Sequence, residues 1–262
     1  MTKDKNLFSS VQKKYAESEI VDFYIEQAKL GLQDWEDEMI RRYIKKDSVI
    51  LSVGCGAGRE PIALSKYNCG VIGIDIVMEM LQKGYNLVKD MNLDGVHFAK
   101  MNVTALGLRK NIFDAALLTG QVLTFIPKKA NRLLALKEVL RVLKPGGRII
   151  VTTHSIKSHL KYRIYFALMN PLRRFVSLLR ISTLEPGDRY FTKVSPTIRT
   201  ATRAFMHMYT LSEGIKDLES AGFHLVNMRS RKEWLNSSNY KNIEKDYVLA
   251  FIALKPEREN KI

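Results

Sequence analysis

Hydrophobic residues follow a regular alternation between residues 48 and 154 of this 262-residue chain. Short aliphatic and β-branched runs are typical of strands buried on both faces of a parallel sheet, and stretches with apolar residues at helical spacing separate these runs. The predicted strands are residues 48–53, 70–74, 96–99, 113–119 and 148–153. This alternation predicts an α/β fold built on a parallel sheet.

The regions on either side of this alternation predict helices. Residues 8–46 have apolar positions at helical spacing and predict two or three helices, which either cover a ligand or pack on the sheet. Residues 155–205 predict two basic amphipathic helices, 157–169 and 171–181, and a polar loop. We therefore expect a helical cap over residues 1–47 and a helical insertion after the fifth strand.

The strand and helix pattern resumes after the insertion. Thr210 begins a capped helix, and residues 223–228 and 247–254 predict the last two strands. Residues 48–262 therefore form one predicted domain, which the segment 155–205 interrupts.

The positive charge of the chain is concentrated in one region. Against 27 Asp and Glu the chain has 42 Lys and Arg, a formal net charge of +15. Residues 155–203 alone carry ten basic and two acidic residues, more than half of that excess. A regional basic patch attracts nucleic acid, phospholipid or an acidic metabolite, although a merely solvated basic face has the same composition.

Cysteine content and hydropathy limit the classes of protein that fit. Cys55 and Cys69 are the only cysteines, so a disulfide framework is not expected and a reducing cytoplasm is the natural setting. The spacing of Cys and His residues does not fit a zinc site, and we expect no metal. The sequence also predicts neither a signal peptide nor a transmembrane segment.

Three glycines at alternate positions follow the first predicted strand and precede a helix. Gly54, Gly56 and Gly58 fit a backbone that comes close to a nucleotide-like ligand, although such a stretch is also found in simple tight turns. Asp75 ends the second strand, where a carboxylate can accept hydrogen bonds from a ribose diol. The residues alone leave a dinucleotide site and an S-adenosylmethionine site open, but the dinucleotide motif needs a glycine where Arg59 stands.

Four segments in order make the chain resemble the class I S-adenosylmethionine-dependent methyltransferases. The segments are residues 49–58, 73–81, 113–115 and 140–147, with weaker agreement from residue 218 to the last strand. The resemblance implies a three-layer, Rossmann-like sandwich whose seven-stranded sheet is mostly parallel, with an antiparallel last strand. It leaves residues 1–47 and 155–205 outside.

The resemblance also implies a role for individual residues in binding S-adenosylmethionine. The implied contacts are Gly54, Cys55 and Gly56 with the methionine part, Asp75 with the ribose, Ile76 and Met80 with the adenine face, Asn102 and Val103 with the adenine edge, and Thr119 and Gln121 near the sulfonium and the amino-acid tail. Arg59 would pair with the cofactor's carboxylate. The chain has Ser52 and Asn102 where members of the family commonly have acids, which weakens the expected affinity.

The implied reaction is direct in-line methyl transfer to oxygen or nitrogen, for which the protein must align the acceptor and exclude water. A general base is needed only when the acceptor loses a proton early. His154 ends the fifth strand and is the candidate base, and Tyr190, His207 and Tyr209 are candidates for the acceptor pocket.

Three hypotheses for the acceptor follow from the basic insertion. It forms a lid over an acidic or aromatic small molecule, or it binds the phosphates of RNA in a transfer-RNA type of methyltransferase. The third hypothesis is a protein without catalysis, or one that docks on anionic membranes through residues 160–180. A lid predicts that Phe166, Leu168, Phe175 and Leu179 are buried, whereas membrane docking predicts that the apolar face is exposed. We favour the lid.

Overall fold

The computed structural model of the chain describes residues 2–178, 184–195, 198–235 and 246–257. Its strands are β1 (Val49–Val53), β2 (Gly70–Asp75), β3 (Val96–Lys100), β4 (Phe113–Leu118), β5 (Leu143–His154), β6 (Asp188–Lys193), β7 (Arg199–His207), β8 (His224–Ser230) and β9 (Val248–Leu254). Its helices are α1 (Thr2–Tyr15), α2 (Ser18–Leu30), α3 (Asp34–Tyr43), α4 (Arg59–Ser65), α5 (Met78–Asp90), α6 (Lys129–Val142), α7 (Leu160–Leu178), α8 (Leu211–Ala221) and α9 (Arg231–Leu235). Short 3₁₀ turns cover Val122–Phe125 and Ile156–Ser158.

Seven strands form one sheet in the order β3-β2-β1-β4-β5-β9-β8. The pairs among β1 to β5 are parallel, whereas β9 is antiparallel to both of its neighbours, β5 and β8. The predicted fold class, including the antiparallel last strand, is confirmed. Since β1, β2 and β4 are parallel neighbours, their carboxyl ends meet at one edge of the sheet, which is where such folds bind ligands.

Neighbouring residues of the central strands face opposite sides of the sheet. Ile50 and Leu117 pack in a cluster with Trp35 of α3, whereas Leu51 and Leu118 pack in a cluster with residues of α6 and α8. Successive side chains of a strand point to opposite faces, so strands covered on both sides read as continuous apolar runs. The sheet is therefore the middle layer of three.

Strand β5 begins five residues earlier than the sequence predicts. The helix α6 ends at Val142, before the expected stop at residues 144–147, and Leu143 already pairs with Phe113 of β4. The register shifts before Ala115, so the strand accommodates the proline and the glycines of that stop as an irregularity at its start.

The insertion differs from the prediction of two helices and a loop. One helix, α7, continues through Pro171, which costs a backbone hydrogen bond but does not end the helix. After it, β6 and β7 form a two-stranded antiparallel ribbon, which the sequence reading missed. The ribbon packs against α1, where the buried Lys14 donates through Nζ to the carbonyl oxygens of Thr192 and Thr202 at 2.8 and 3.1 Å.

Within the described part of the chain, the helices are all too short or too polar to cross a membrane.

Candidate active site

A cavity of about 400 Å³ opens at the carboxyl edge of β1, β2 and β4. The loops after these strands form its floor, and α1, α2 and the start of α3 form its roof. The sequence-predicted site residues that line it are Gly54, Cys55, Gly56, Arg59, Asp75, Ile76, Met80, Asn102, Val103 and Gln121. The fold thus brings together all but one of the residues that the resemblance implies for cofactor binding.

The glycine loop needs glycine at its first position. Gly54 has φ +62°, and a Cβ atom there would lie 2.5 Å from Cγ2 of Val122. Gly56 has φ +54°, but its missing Cβ faces the cavity, where the nearest atom is a ring carbon of Tyr24 at 3.9 Å. The loop therefore leaves a cradle between its own backbone and α2, in which a ligand can approach the main chain closely.

Asp75 links the glycine loop to the turn that follows β2. Its Oδ2 accepts from the backbone N–H of Gly56 at 2.9 Å, and its Oδ1 accepts from that of Val77 at 2.9 Å. Burial raises the pKa of Asp75, and the hydrogen bonds from the backbone only partly offset that effect. Each carboxylate oxygen keeps a second lone pair, so the side chain can still accept from a diol in the cavity.

Arg59 does not face the cavity as a free cation, contrary to its implied role. Its guanidinium donates to both carboxylate oxygens of Glu36, at 2.6 and 2.8 Å, and to Oε1 of Glu60 at 2.7 Å. Since two carboxylates already hold this side chain, pairing with a ligand carboxylate would require it to give up these partners.

Thr119 also lies elsewhere than predicted. It is buried and is not among the residues that line the cavity, and its hydroxyl donates to Oε1 of Glu60 at 3.0 Å. Gln121 does line the cavity, in a left-handed conformation with φ +59°. Its backbone N–H and its amide Nε2 lie 3.1 and 3.4 Å from Oγ1 of Thr152. Thr119 therefore acts on the site only by orienting Glu60.

Apolar side chains border the cavity beyond Asp75. Ile76 and Met80 pack in one cluster with α2, and Val103 is buried in the core on the other side. Asn102 accepts from the N–H of Thr104 at 3.0 Å through its Oδ1, which fixes this side chain in a local turn. The arrangement is an apolar slot with one polar edge, which suits a flat heteroaromatic ring.

His154 lies behind the wall of the cavity. The His154 ring is buried, and its centroid lies 4.4 Å from that of the Tyr247 ring. Tyr247 lines the cavity, whereas His154 does not. Burial lowers the pKa of His154 to about 3. A base that weak and without access to the acceptor is poorly suited to proton removal, so the geometry gives no support to a catalytic role.

The three candidates for the acceptor pocket do not line the cavity either. Tyr190 and Tyr209 are absent from its lining, and Tyr209 is fully buried. His207 is also buried, with Nδ1 at 2.7 Å from Oδ1 of Asp188 and Nε2 at 2.9 Å from Oε1 of Glu213. His207 instead connects the ribbon to α8.

Aromatic side chains that the sequence analysis did not assign to the site form much of the cavity wall. They are Phe8, Tyr15, Phe23, Tyr24, Trp35, Phe125 and Tyr247. Tyr15 lies at the centre of the group, with its ring centroid 5.8 Å from that of Tyr24 and 5.5 Å from that of Phe125. Burial raises the pKa of Tyr15 and of Tyr24, and it raises that of Tyr247 to about 12. These hydroxyls are therefore neutral donors at physiological pH.

The cover of the cavity comes from the N-terminal helices, not from the helix of the insertion. Among the described residues of 155–205, only Val194 lines the cavity, and none of α7 does. Phe166 is 1% exposed, but Leu168 and Phe175 are 70% and 61% exposed, and Leu179 lies outside the described residues. The described part of α7 therefore lies outside the cavity lining, and the exposure of Leu168 and Phe175 gives no support to the expected lid.

The charge of the cavity suits S-adenosylmethionine. Three carboxylates (Glu36, Glu60 and Asp75) and two guanidinium groups (Arg59 and Arg231) line its described part, so the charged side chains leave one excess negative charge. An acidic excess favours a cationic ligand, and aromatic faces stabilise a neighbouring positive centre. Glu60 is a carboxylate close to the loop where Ser52 lacks one, which the sequence reading overlooked.

Comparison with known proteins agrees with this site. A family model described as a methyltransferase domain matches residues 44–175. A probable methyltransferase, ltbC, of Aspergillus luteorubrus is 30% identical over 201 residues, which cover 74% of this chain and 67% of that protein. A demethylmenaquinone methyltransferase of Staphylococcus saprophyticus is 35% identical over 149 residues, which cover 53% of this chain and 60% of that enzyme.

The fold also matches a solved structure, over the whole length of that structure. A methyltransferase of Methanosarcina mazei that depends on S-adenosylmethionine superimposes with a TM-score of 0.67 and 25% identity, covering 87% of this chain and 100% of that one. The match therefore extends far beyond the glycine loop.

Proposed function

The chain belongs to the class I S-adenosylmethionine-dependent methyltransferases, and on that premise we propose that it methylates a small aromatic molecule at an oxygen or nitrogen atom. The observation that carries the proposal is the aromatic wall of the cavity next to the glycine loop. At about 400 Å³ the cavity lies toward the lower end of the range for small-molecule sites, roughly 300–1,000 Å³. Since the cofactor would occupy much of this cavity, the space left beside the aromatic wall suits a small acceptor.

The chain's own residues would bind, orient and dehydrate the reactants. When bound, S-adenosylmethionine supplies a methyl group that its sulfonium already activates. Asp75 would hold the ribose, and Tyr15, Tyr24 and Phe125 would exclude water and align an acceptor ring. Since burial keeps the tyrosines protonated and His154 is a weak base, the acceptor would supply its own lone pair, as an amine or an acidic phenol does.

One relative supports a small-molecule acceptor. The protein of Staphylococcus saprophyticus is named a demethylmenaquinone methyltransferase, so its named acceptor is a small molecule and not RNA. The RNA alternative has less support, because a row of apolar side chains runs along the exposed side of α7 between its cations, and such a row makes no contact with phosphates. A cytoplasmic location stays part of the proposal, since Cys55 and Cys69 are both free thiols.

Transfer of isotope from methyl-labelled S-adenosylmethionine into a total cell extract tests the proposal. The extract is separated afterwards into RNA, protein, lipid-soluble and water-soluble small molecules. We expect label in a small molecule, less label with Asp75→Asn, and unchanged label with the matched variant Glu79→Gln at an exposed position of α5. Label that appears only in RNA or only in protein would contradict the proposed acceptor.

A further inference from the structure

Helix α7 presents a row of apolar side chains to solvent. Five of them recur at intervals of three or four residues and therefore share one side of the helix. They are Leu160, Ile164, Leu168, Leu172 and Phe175, and all are more than half exposed. Isolated exposed apolar residues are normal on a protein surface, but a contiguous row over most of a 19-residue helix marks an interaction surface.

The opposite side of α7 is fixed to the protein. Phe166 packs with Ile156, Met206 and Met208 in a small buried cluster. Arg173 is buried as well, since its Nη1 donates to the carbonyl oxygen of Asp188 and its Nη2 lies 2.9 Å from the hydroxyl of Tyr165. The contacts of Phe166 and Arg173 therefore fix α7 on the protein, so the exposed row is preformed.

The charges around this row have one sign. Residues 155–184 contain six Lys or Arg and no Asp or Glu. Of these, Lys161, Arg163 and Arg174 are exposed on α7, whereas Arg173 faces inward. An apolar stripe rimmed by cations is the composition of a helix that lies in the interface of a negatively charged membrane.

We propose that α7 docks this enzyme on anionic phospholipid bilayers, with the apolar row inserted among the lipids and the cations against the headgroups. A second copy of the chain is a poorer occupant, because two such surfaces would bring cations of the same sign together. None of the described residues of α7 lines the cavity, so the docking surface and the cofactor site are separate. The proposal does not depend on which acceptor is methylated.

Co-sedimentation with vesicles tests the apolar row. We expect the full chain to bind vesicles of phosphatidylcholine and phosphatidylglycerol in equal parts, and at least tenfold less with the double variant Leu168→Glu and Phe175→Glu. A matched double variant at exposed apolar positions elsewhere, Leu30→Glu and Leu134→Glu, should bind as the wild type does. Both doubles add the same charge, so a difference between them reports the location of the binding surface.

The charges are tested in the same assay. Arg163→Glu with Arg174→Glu should weaken binding to the anionic vesicles by tenfold or more, whereas Lys137→Glu with Lys216→Glu, at exposed positions of α6 and α8, should cost clearly less. Binding of the wild type to phosphatidylcholine alone should be weak.

Three results would overturn the proposal. The first is a wild type that does not bind anionic vesicles, and the second is equal binding by the Leu168→Glu, Phe175→Glu variant. The third is light scattering that shows a dimer in the wild type and a monomer in that variant without vesicle binding, which would make the row a contact between two copies.

Discussion

Arg59 at the start of α4 and Glu36 in the first turn of α3 form a two-pronged ion pair, with N–O distances of 2.6 and 2.8 Å. Burial lowers the pKa of Arg59, but the carboxylates of Glu60 and Glu36 more than offset this and hold the pKa above its usual value. The pair joins the helix that follows the glycine loop to the N-terminal helices that roof the cavity. Arg59 is therefore a connection between the roof and the floor.

Replacing Arg59 should lower the free energy of unfolding by more than the loss of an exposed ion pair does. Arg59→Met leaves the buried carboxylates of Glu36 and Glu60 without their cation, and breaking a buried pair costs about 3–5 kcal/mol. We expect the free energy of unfolding in urea to fall by about 3 kcal/mol. The matched variant Arg41→Met removes the exposed pair with Asp37 and should cost about 1 kcal/mol or less. Similar losses in the two variants would contradict this connection.

Replacing Asp75 should weaken binding of S-adenosylmethionine. Asp75→Asn keeps the size of the side chain but replaces one acceptor oxygen by an NH₂ donor. That NH₂ group would face either the N–H of Gly56 or the hydroxyl groups of the ligand. We expect the dissociation constant from calorimetry to rise at least tenfold, about 1.4 kcal/mol, and Asp75→Ala to abolish measurable binding. The Glu79→Gln variant on the next helix is the control. Unchanged affinity in Asp75→Ala would show that the ribose lies elsewhere.

The sequence could predict the sheet and the cofactor floor because both depend on local signals. Buried strands read as apolar runs, and Gly54 and Asp75 stand at strand ends that the parallel fold must bring together. For these residues, the strand pattern next to each one in the sequence is enough to predict which edge of the sheet it occupies. A local pattern is also enough for Thr210, whose side chain accepts from the N–H of Glu213 as the cap motif predicts.

The roof and the insertion could not be predicted in this way because their partners are distant in sequence. Glu36 reads as part of a helix-capping motif with Gln33, which it also forms, and nothing nearby shows that it meets Arg59. Apolar residues at helical spacing in α7 indicate an amphipathic helix but not whether its stripe faces the protein or the solvent. The ribbon was missed because basic and polar residues interrupt its apolar positions, which obscures the alternation that predicts a strand.

Adding a methyl group at Gly54 should disturb the loop through a collision and not only through backbone strain. Gly54→Ala places a Cβ atom 2.5 Å from Val122, at a residue with φ +62°. The matched variant Gly120→Ala has φ +69° and open space around its Cβ, so it reports the strain alone. We expect Gly54→Ala to lower the free energy of unfolding by about 1–3 kcal/mol more than Gly120→Ala does. Equal losses would mean that Val122 moves aside without cost.

Stability should fall as the pH rises above neutrality because of His207. Burial and Arg132 lower the pKa of His207, but its hydrogen bonds to Asp188 and Glu213 outweigh them, and the pKa is raised. A raised folded-state pKa means that the imidazolium stabilises the fold fully below the unfolded pKa of about 6.5, and that this contribution is lost as the pH rises through the folded value. The bonds of His207 join β6 and β7 to α8, so deprotonation weakens the attachment of the ribbon.

Urea titrations between about pH 6 and 9 measure this loss, whose slope for one proton is at most about 1.4 kcal/mol per pH unit. His207→Gln can still form hydrogen bonds but carries no charge, so it should start less stable at pH 6 and show a flatter dependence. The exposed His224→Gln on β8 should keep the wild-type dependence. Burial acts to raise the pKa of Glu213, but the hydrogen bond to His207 outweighs burial and holds that pKa below its ordinary value. The stabilisation from the Glu213 carboxylate is therefore lost only as the pH falls into the acid range, outside the range of this titration. A wild type whose stability is constant between pH 6 and 9 would rule out His207 as the titrating connection.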